Sequence, residues 1–228
     1  MIRELLAILA FTCQILAIPT IHAKGAKFFT SAGQFYIKGI AYQLQEADPL
    51  VDVAQCRRDA ALMKTLGANS IRVYHVVANQ DHDACMAAFA DAGIYTWIDL
   101  DTFDTYILPN GEQPRWTSRE YQAYQRVMDV FQKYDNVAGF FVGKEMLTMG
   151  NDSVAAPFIK AAARDMKAYR NSKGYRQIPI GYSAADIESL RPNLQNYLAC
   201  GSNSSESLDF YSLNVRPDCY DVLLEIND

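Results

Sequence analysis

After its first two dozen residues the chain lacks any run approaching the roughly eighteen apolar residues that cross a bilayer, so its body does not read as membrane-spanning. Cations are also scarce: 21 Lys and Arg stand against 26 Asp and Glu, a net charge of −5. Arg57-Arg58 is the one dense basic pair, whereas phosphate neutralisation needs clustered Lys and Arg, so nucleic acid is not an expected partner. Histidines number only three; His22 lies in a leader-like segment, and His75 and His82 stand near Asp81 and Asp83 without zinc-helix spacing. No metal site is expected. A glycine-rich phosphate loop is missing too, because Gly39 is isolated and Gly25 and Gly33 precede the first long predicted strand. That removes the fingerprint of a dinucleotide fold.

What is present is 228 residues, half of them apolar and 21% charged, which suits one compact domain with a sizeable core. Fourteen Tyr, eleven Phe and two Trp suit sugar stacking and an ordinary core equally well. The start reads as a secretory signal over residues 1–23: Leu5 to Ile21 is largely apolar, Pro19 breaks it, and Ala23 is a plausible cleavage residue. A buried helix is the alternative. Removing the signal takes Cys13 with it and leaves Cys56, Cys85, Cys200 and Cys219 in a disulfide-permissive compartment. Asn151-Asp-Ser153 and Asn203-Ser-Ser205 then become candidate glycosylation acceptors. No apolar tail follows, so an anchor signal is not expected within these residues.

Short hydrophobic segments alternate with longer amphipathic ones. Phe35 to Ala41, Ser70 to Val76, Ile94 to Leu100, Val137 to Gly143, Gln177 to Tyr182 and Leu208 to Asn214 read as strands. Between them, helices are predicted from Asp52 to Gly67, from Thr117 with a Thr117/Glu120 capping box, and through Phe158, Ala162, Met166 and Tyr169. The spacing is that of βα units with parallel strands, either doubly wound or curled into a barrel. Gln43, Arg72, Tyr74, Asp99, Lys144-Glu145, Tyr182 and Asn214 lie on or just after successive strands. Polar groups gathered at the carboxyl ends of parallel strands are the pattern of a barrel active site.

Several ordered motifs carry a resemblance. Gln34-Phe35-Tyr36-Ile37-Lys38-Gly39-Ile40-Ala41-Tyr42-Gln43, Arg72-Val73-Tyr74, Asp91-Ala92-Gly93-Ile94-Tyr95, Tyr134-Asp135-Asn136-Val137-Ala138-Gly139-Phe140-Phe141 and Pro179-Ile180-Gly181-Tyr182-Ser183 are similar to those of the fungal β-1,3-glucanosyltransferases. The likeness runs across nearly all of residues 24 to 219. It implies an α/β fold of the (β/α)8 TIM-barrel type, incomplete here, with about six of the eight βα units. It also implies secreted, usually membrane-anchored enzymes of the cell wall that need no cofactor. These cleave wall β-1,3-glucan, transfer the new reducing end to another chain and retain configuration. Retention takes one carboxylic acid to protonate the leaving oxygen and a second carboxylate, about 5 Å away, to attack the anomeric carbon.

By this resemblance Glu145 is the acid/base, and Gln43, Tyr74, Asp99, Lys144 and Tyr182 line the glucan cleft. Without it, a Glu after an apolar strand is ordinarily a solvated loop residue. The nucleophile belongs at the end of a seventh strand, which this sequence does not reach, so the chain alone is expected to be weak or inactive in transfer. A non-catalytic glucan-binding or cell-surface remnant is the other reading. Two departures favour it: Lys144 stands where the family has Asn, and Arg216 where it has a Tyr that supports the nucleophile. A cation beside Glu145 is expected to favour the carboxylate over the proton donor. Cys56 and Cys85 match a family disulfide, while the family partners of Cys200 and Cys219 lie beyond this sequence, leaving a pairing of those two with each other open.

Overall fold

The computed structural model describes residues 18–43, 48–102, 105, 107 and 113–215. Two sheets organise it. A three-stranded antiparallel sheet is made of β1 (His22–Lys24), β2 (Lys27–Thr30) and β3 (Gly33–Phe35). The second sheet has six parallel strands: β4 (Gly39–Ala41), β5 (Ser70–Val73), β6 (Tyr95–Asp99), β7 (Val137–Lys144), β8 (Ile180–Ala185) and β9 (Phe210–Asn214). Their spatial order is their sequence order, without the reversal that defines a doubly wound sheet. Of the two architectures left open by strand spacing, this is the barrel, present as six consecutive strands.

Helices α1 (Val53–Thr65), α2 (Asp83–Asp91), α3 (Ser118–Phe131), α4 (Ala156–Ser172) and α5 (Asn193–Ala199) follow strands β4 to β8 in turn. Their starts are chemically marked. The Asp52 carboxylate accepts from the Gln55 N–H, and Thr117 and Glu120 close the predicted capping box at the head of α3. Gly67, at φ +73°, turns the chain just after α1 in a conformation that costs glycine little.

Strand alternation then divides the core. Ile71, Val73, Ile98 and Tyr182 face the helices in the large cluster, and Tyr95, Trp97 and Phe141 face the interior. Both faces are covered, so β7 from Val137 to Gly143 is buried along its length, as a parallel strand sandwiched by apolar layers must be. Gly139 and Gly181 are small because of this interior. A Cβ on Gly139 would lie 2.7 Å from the Trp97 ring, and one on Gly181 would lie 2.5 Å from Phe210.

Two strand expectations change. The segment Phe35 to Ala41 is not one strand: β3 ends at Phe35 and β4 begins at Gly39, because the two belong to different sheets. The fifth barrel strand runs Ile180–Ala185, three residues later than predicted, so Ser183 and Ala185 join it. The boundary after Ala23 falls inside β1, which pairs His22 with Phe29 and Lys24 with Lys27. Ile21 is only 2% exposed and packs with Tyr95, Trp97, Ala138 and Phe141, while the Tyr95 hydroxyl donates to the Pro19 carbonyl. The folded unit thus includes Ile18 to Ala23, which plug the amino-terminal end of the half-barrel.

Cys56 on α1 and Cys85 on α2 form the expected disulfide, joining the first two covering helices across 29 positions of sequence. Cys200 is exposed and makes no disulfide among the described residues; Cys219, Arg216 and residues 1–17 lie outside them.

Two stability outcomes follow from this packing. A chain starting at Lys24 loses Ile21 and β1, so its unfolding free energy should fall by about 2 kcal/mol or more relative to one starting at Ile18, read by denaturant titration. Equal midpoints and slopes would remove the plug from the folded unit. Replacing Cys56 and Cys85 together by Ala should cost about 3 to 4 kcal/mol in the loop-entropy picture, seen as a lower midpoint that reductant no longer changes.

Candidate active site at the carboxyl rim of the strands

The carboxyl ends of β5 to β9 converge on a polar rim above the aromatic interior. At its centre is Arg72 on β5, with a side chain 13% exposed. Its Nε and Nη2 donate to the two oxygens of Asp99, at 3.0 and 2.8 Å, and its Nη1 donates to Ser183 Oγ at 2.5 Å. The guanidinium also lies 3.9 Å from the centre of the Phe141 ring and 4.7 Å from that of Tyr74. A planar cation can be held this way because its fork matches a carboxylate while its faces stack on aromatic rings.

Glu145 follows β7 at once and is exposed. Asn214, the last residue of β9, donates from Nδ2 to Glu145 Oε1 at 2.8 Å and accepts from Ser183 Oγ at 2.8 Å. The backbone of Glu145 adopts φ +49°, left-handed and unusual for a residue with a side chain. Such a conformation costs about 1–3 kcal/mol and persists where surrounding bonds impose it. Two bonds do so here: Glu145 N–H donates to the Ser183 carbonyl, and Met146 N–H donates to the Tyr182 hydroxyl, both at 2.8 Å.

The other sequence-predicted residues are placed as follows. Gln43 is exposed just after β4, and Tyr74 is half-buried beneath two cations, Arg72 and Lys144. Lys144 Nζ lies 4.5 Å from the Tyr74 ring centre, and among the described residues no ion pair joins it to Glu145. The expected cation against the acid is therefore drawn onto an aromatic face instead. Asp99 points to the rim but is 2% exposed, with both oxygens taken by Arg72. The family resemblance puts Tyr182 in the lining of the cleft. It lies instead on the helix-facing side of β8, fully buried, and supports the backbone beneath Glu145. Asn151 and Asn203 are both exposed. Ser183 escaped the sequence reading, although the alternation about Tyr182 carries the signal: if Tyr182 faces outward, Ser183 faces inward.

Among the described residues, no group of three His, Cys, Asp or Glu side chains is arranged to hold a metal ion. Burial dominates the electrostatics of Asp99 and Asp101. Burial pushes Asp99 upward, and the Arg72 charge and hydrogen bonds pull it back. Asp101, 8% exposed and with Oδ1 unpartnered among the described residues, is pushed up to about 8, first by burial and then by the neighbouring Asp99. Burial, then Lys144, lowers His75.

Asp101 therefore keeps a proton in the folded chain that the unfolded chain loses near pH 4, so its ionisation makes stability fall as pH rises from about 4 to 8. Asp101→Asn should flatten the pH dependence of the thermal midpoint across that window and melt higher than the parent above pH 8. A parent and variant with parallel pH profiles would show that Asp101 ionises normally.

Comparison with known proteins places this geometry. The chain matches the glucanosyltransferase family model over residues 11–224. It is 39% identical over 231 residues to the 1,3-beta-glucanosyltransferase gas2 of Schizosaccharomyces pombe, covering 92% of this chain and 50% of that protein. To the 1,3-beta-glucanosyltransferase gel1 of Aspergillus fumigatus it is 41% identical over 218 residues, covering 90% of this chain and 48% of the relative. Among solved structures, Saccharomyces cerevisiae Gas2p in complex with laminaripentaose superposes with a TM-score of 0.81 at 39% identity, over 87% of this chain and 47% of that one. The chain thus spans about half the length of these relatives, and it belongs to the glucanosyltransferase family.

Proposed function

We propose that this chain carries the acid/base half of a retaining β-1,3-glucan transferase that remodels the fungal cell wall. The observation that carries the reading is Glu145, presented at the carboxyl end of the fourth barrel strand with its backbone and one carboxylate oxygen both fixed. In that role Glu145 protonates the glycosidic oxygen as the leaving chain departs, then takes the proton of the incoming sugar hydroxyl. The carboxylate that forms the glycosyl intermediate belongs to a seventh strand, which the described residues do not include. Tyr74, Gln43 and Lys144 offer polar contacts to a sugar at the rim. The solved relatives bound to laminari-oligosaccharides support β-1,3-glucan as the ligand.

The leader-like start supports secretion, with the protein at the cell surface or in the wall, anchored to the membrane as its family is. Exposed Asn151 and Asn203 are then glycosylation acceptors. The Asn203 carboxamide oxygen accepts from the Ser205 N–H and hydroxyl, so the sequon is presented as a surface turn.

Incubation with a reduced β-1,3-glucan oligomer, followed by chromatographic sizing of the products, tests the reading. The chain alone should give no longer oligomers. A fusion supplying strands seven and eight from a relative should give them weakly, and Glu145→Gln in that fusion should lower transfer by about 100-fold or more while glucan binding persists. Transfer that survives Glu145→Gln would remove Glu145 from the acid/base role. Glucan binding with no transfer by the fusion would favour a binding protein instead.

A further inference from the structure

The rim holds a chain of hydrogen bonds whose direction is fixed by chemistry. Arg72 has donors only, so its Nη1–H can meet Ser183 Oγ only if that oxygen accepts. The single hydroxyl proton of Ser183 is then left to donate, and it reaches Asn214 at 2.8 Å. Asn214 must turn its carboxamide oxygen toward Ser183, which turns its NH2 group toward Glu145, 2.8 Å from Oε1. Each link leaves the next one orientation. The line begins at a cation itself fixed by both oxygens of Asp99 and ends at a carboxyl oxygen that can only accept.

We infer that Arg72, Ser183 and Asn214 form a one-way positioning relay that commits Glu145 Oε1 as an acceptor and confines the transferable proton of Glu145 to Oε2. The inference rests on the reading of Glu145 as the acid/base. It goes further by naming which oxygen does the work and which residues impose that choice. A proton on Oε1 would face the Asn214 NH2 group, donor against donor, and relief by turning Asn214 over would set its NH2 against the Ser183 hydroxyl proton. That hydroxyl has no second orientation while Arg72 occupies its oxygen. Ser183 acts twice, since its carbonyl accepts from Glu145 N–H and holds the left-handed backbone that aims the side chain. It is fully buried on a central strand, so the geometry is set by the sheet rather than by a loop. The remaining oxygen, Oε2, is the one left for the glycosidic oxygen and, later, the acceptor hydroxyl.

The test is spectroscopic and uses the full chain, with carbon-13 on the glutamate side-chain carboxyl groups and nitrogen-15 on the asparagine amides. Glu145→Gln and Asn214→Ala assign the two signals. As pH is lowered until the Glu145 carboxyl signal reports protonation, the Asn214 amide protons should keep the downfield shift of a bonded NH2, because the proton enters at Oε2. Movement of those protons to the position of a free amide in step with Glu145 protonation would overturn the relay. Ser183→Ala should collapse the Asn214 signals toward free-amide positions and shift the Glu145 carboxyl, and Ser183→Thr should restore both. If the alanine variant does not fold, the titration of the unmodified chain still decides. A failed relay leaves the Glu145→Gln transfer result intact, and a failed acid/base assignment leaves the amide titration readable, so the two are told apart.

Discussion

Arg72 is the constraint from which the rest of the site follows. A guanidinium inside a half-barrel is tolerable only when its charge is answered, because a buried ion left without a partner costs several kcal/mol. The answers come from different strands: Asp99 on β6, Phe141 on β7 and Ser183 on β8. Meeting them together sets the carboxyl ends of four neighbouring strands in one register. The ion pair contributes specificity of arrangement more than net stability, since the desolvation of both charges offsets much of their attraction.

Below that hub the interior is aromatic. Phe28, Trp97, Phe141 and Phe210 meet edge to face or tilted, with Phe28 4.9 Å from Trp97, and Ile21 closes them from beneath. This floor does two things for the rim. It supplies the apolar burial that makes the strands cohere, and it lowers the local dielectric so that the hydrogen bonds above it are stronger than they would be in water. Burial burdens Asp101, whose Oδ1 has no partner among the described residues and whose carboxyl is pushed up to about 8.

Lys144 shows how context changes the meaning of a substitution. Read along the chain, a lysine next to an acid looks like an electrostatic partner for it. In a strand, successive side chains leave on opposite faces, and here the ammonium crosses to the Tyr74 ring. A long flexible cation takes the aromatic face within reach, and the exposed carboxylate of Glu145 is left to Asn214.

Period-two hydrophobicity and the spacing of turn signals already place each of the six barrel strands, to within a few residues, and three of the covering helices, because those signals are local. The capping box at Thr117, the start of the first covering helix near Asp52 and the position of Glu145 at a strand's end are legible for the same reason. The pairing of Cys56 with Cys85 was legible only through likeness to a family. Three things were decided by tertiary structure alone. Residues 18–23 look like the tail of an apolar leader, yet the aromatic cavity beneath the strands makes Ile21 core and His22–Lys24 a strand. Tyr182 and Ser183 are adjacent letters, yet β8's orientation buries one against the helices and turns the other to the rim. Glu145 and Asn214 stand 69 positions apart, and nothing local relates them. They meet because parallel strands in sequential order bring their carboxyl ends to one rim, and the stagger between strands, which no short stretch of sequence encodes, sets which side chains share it.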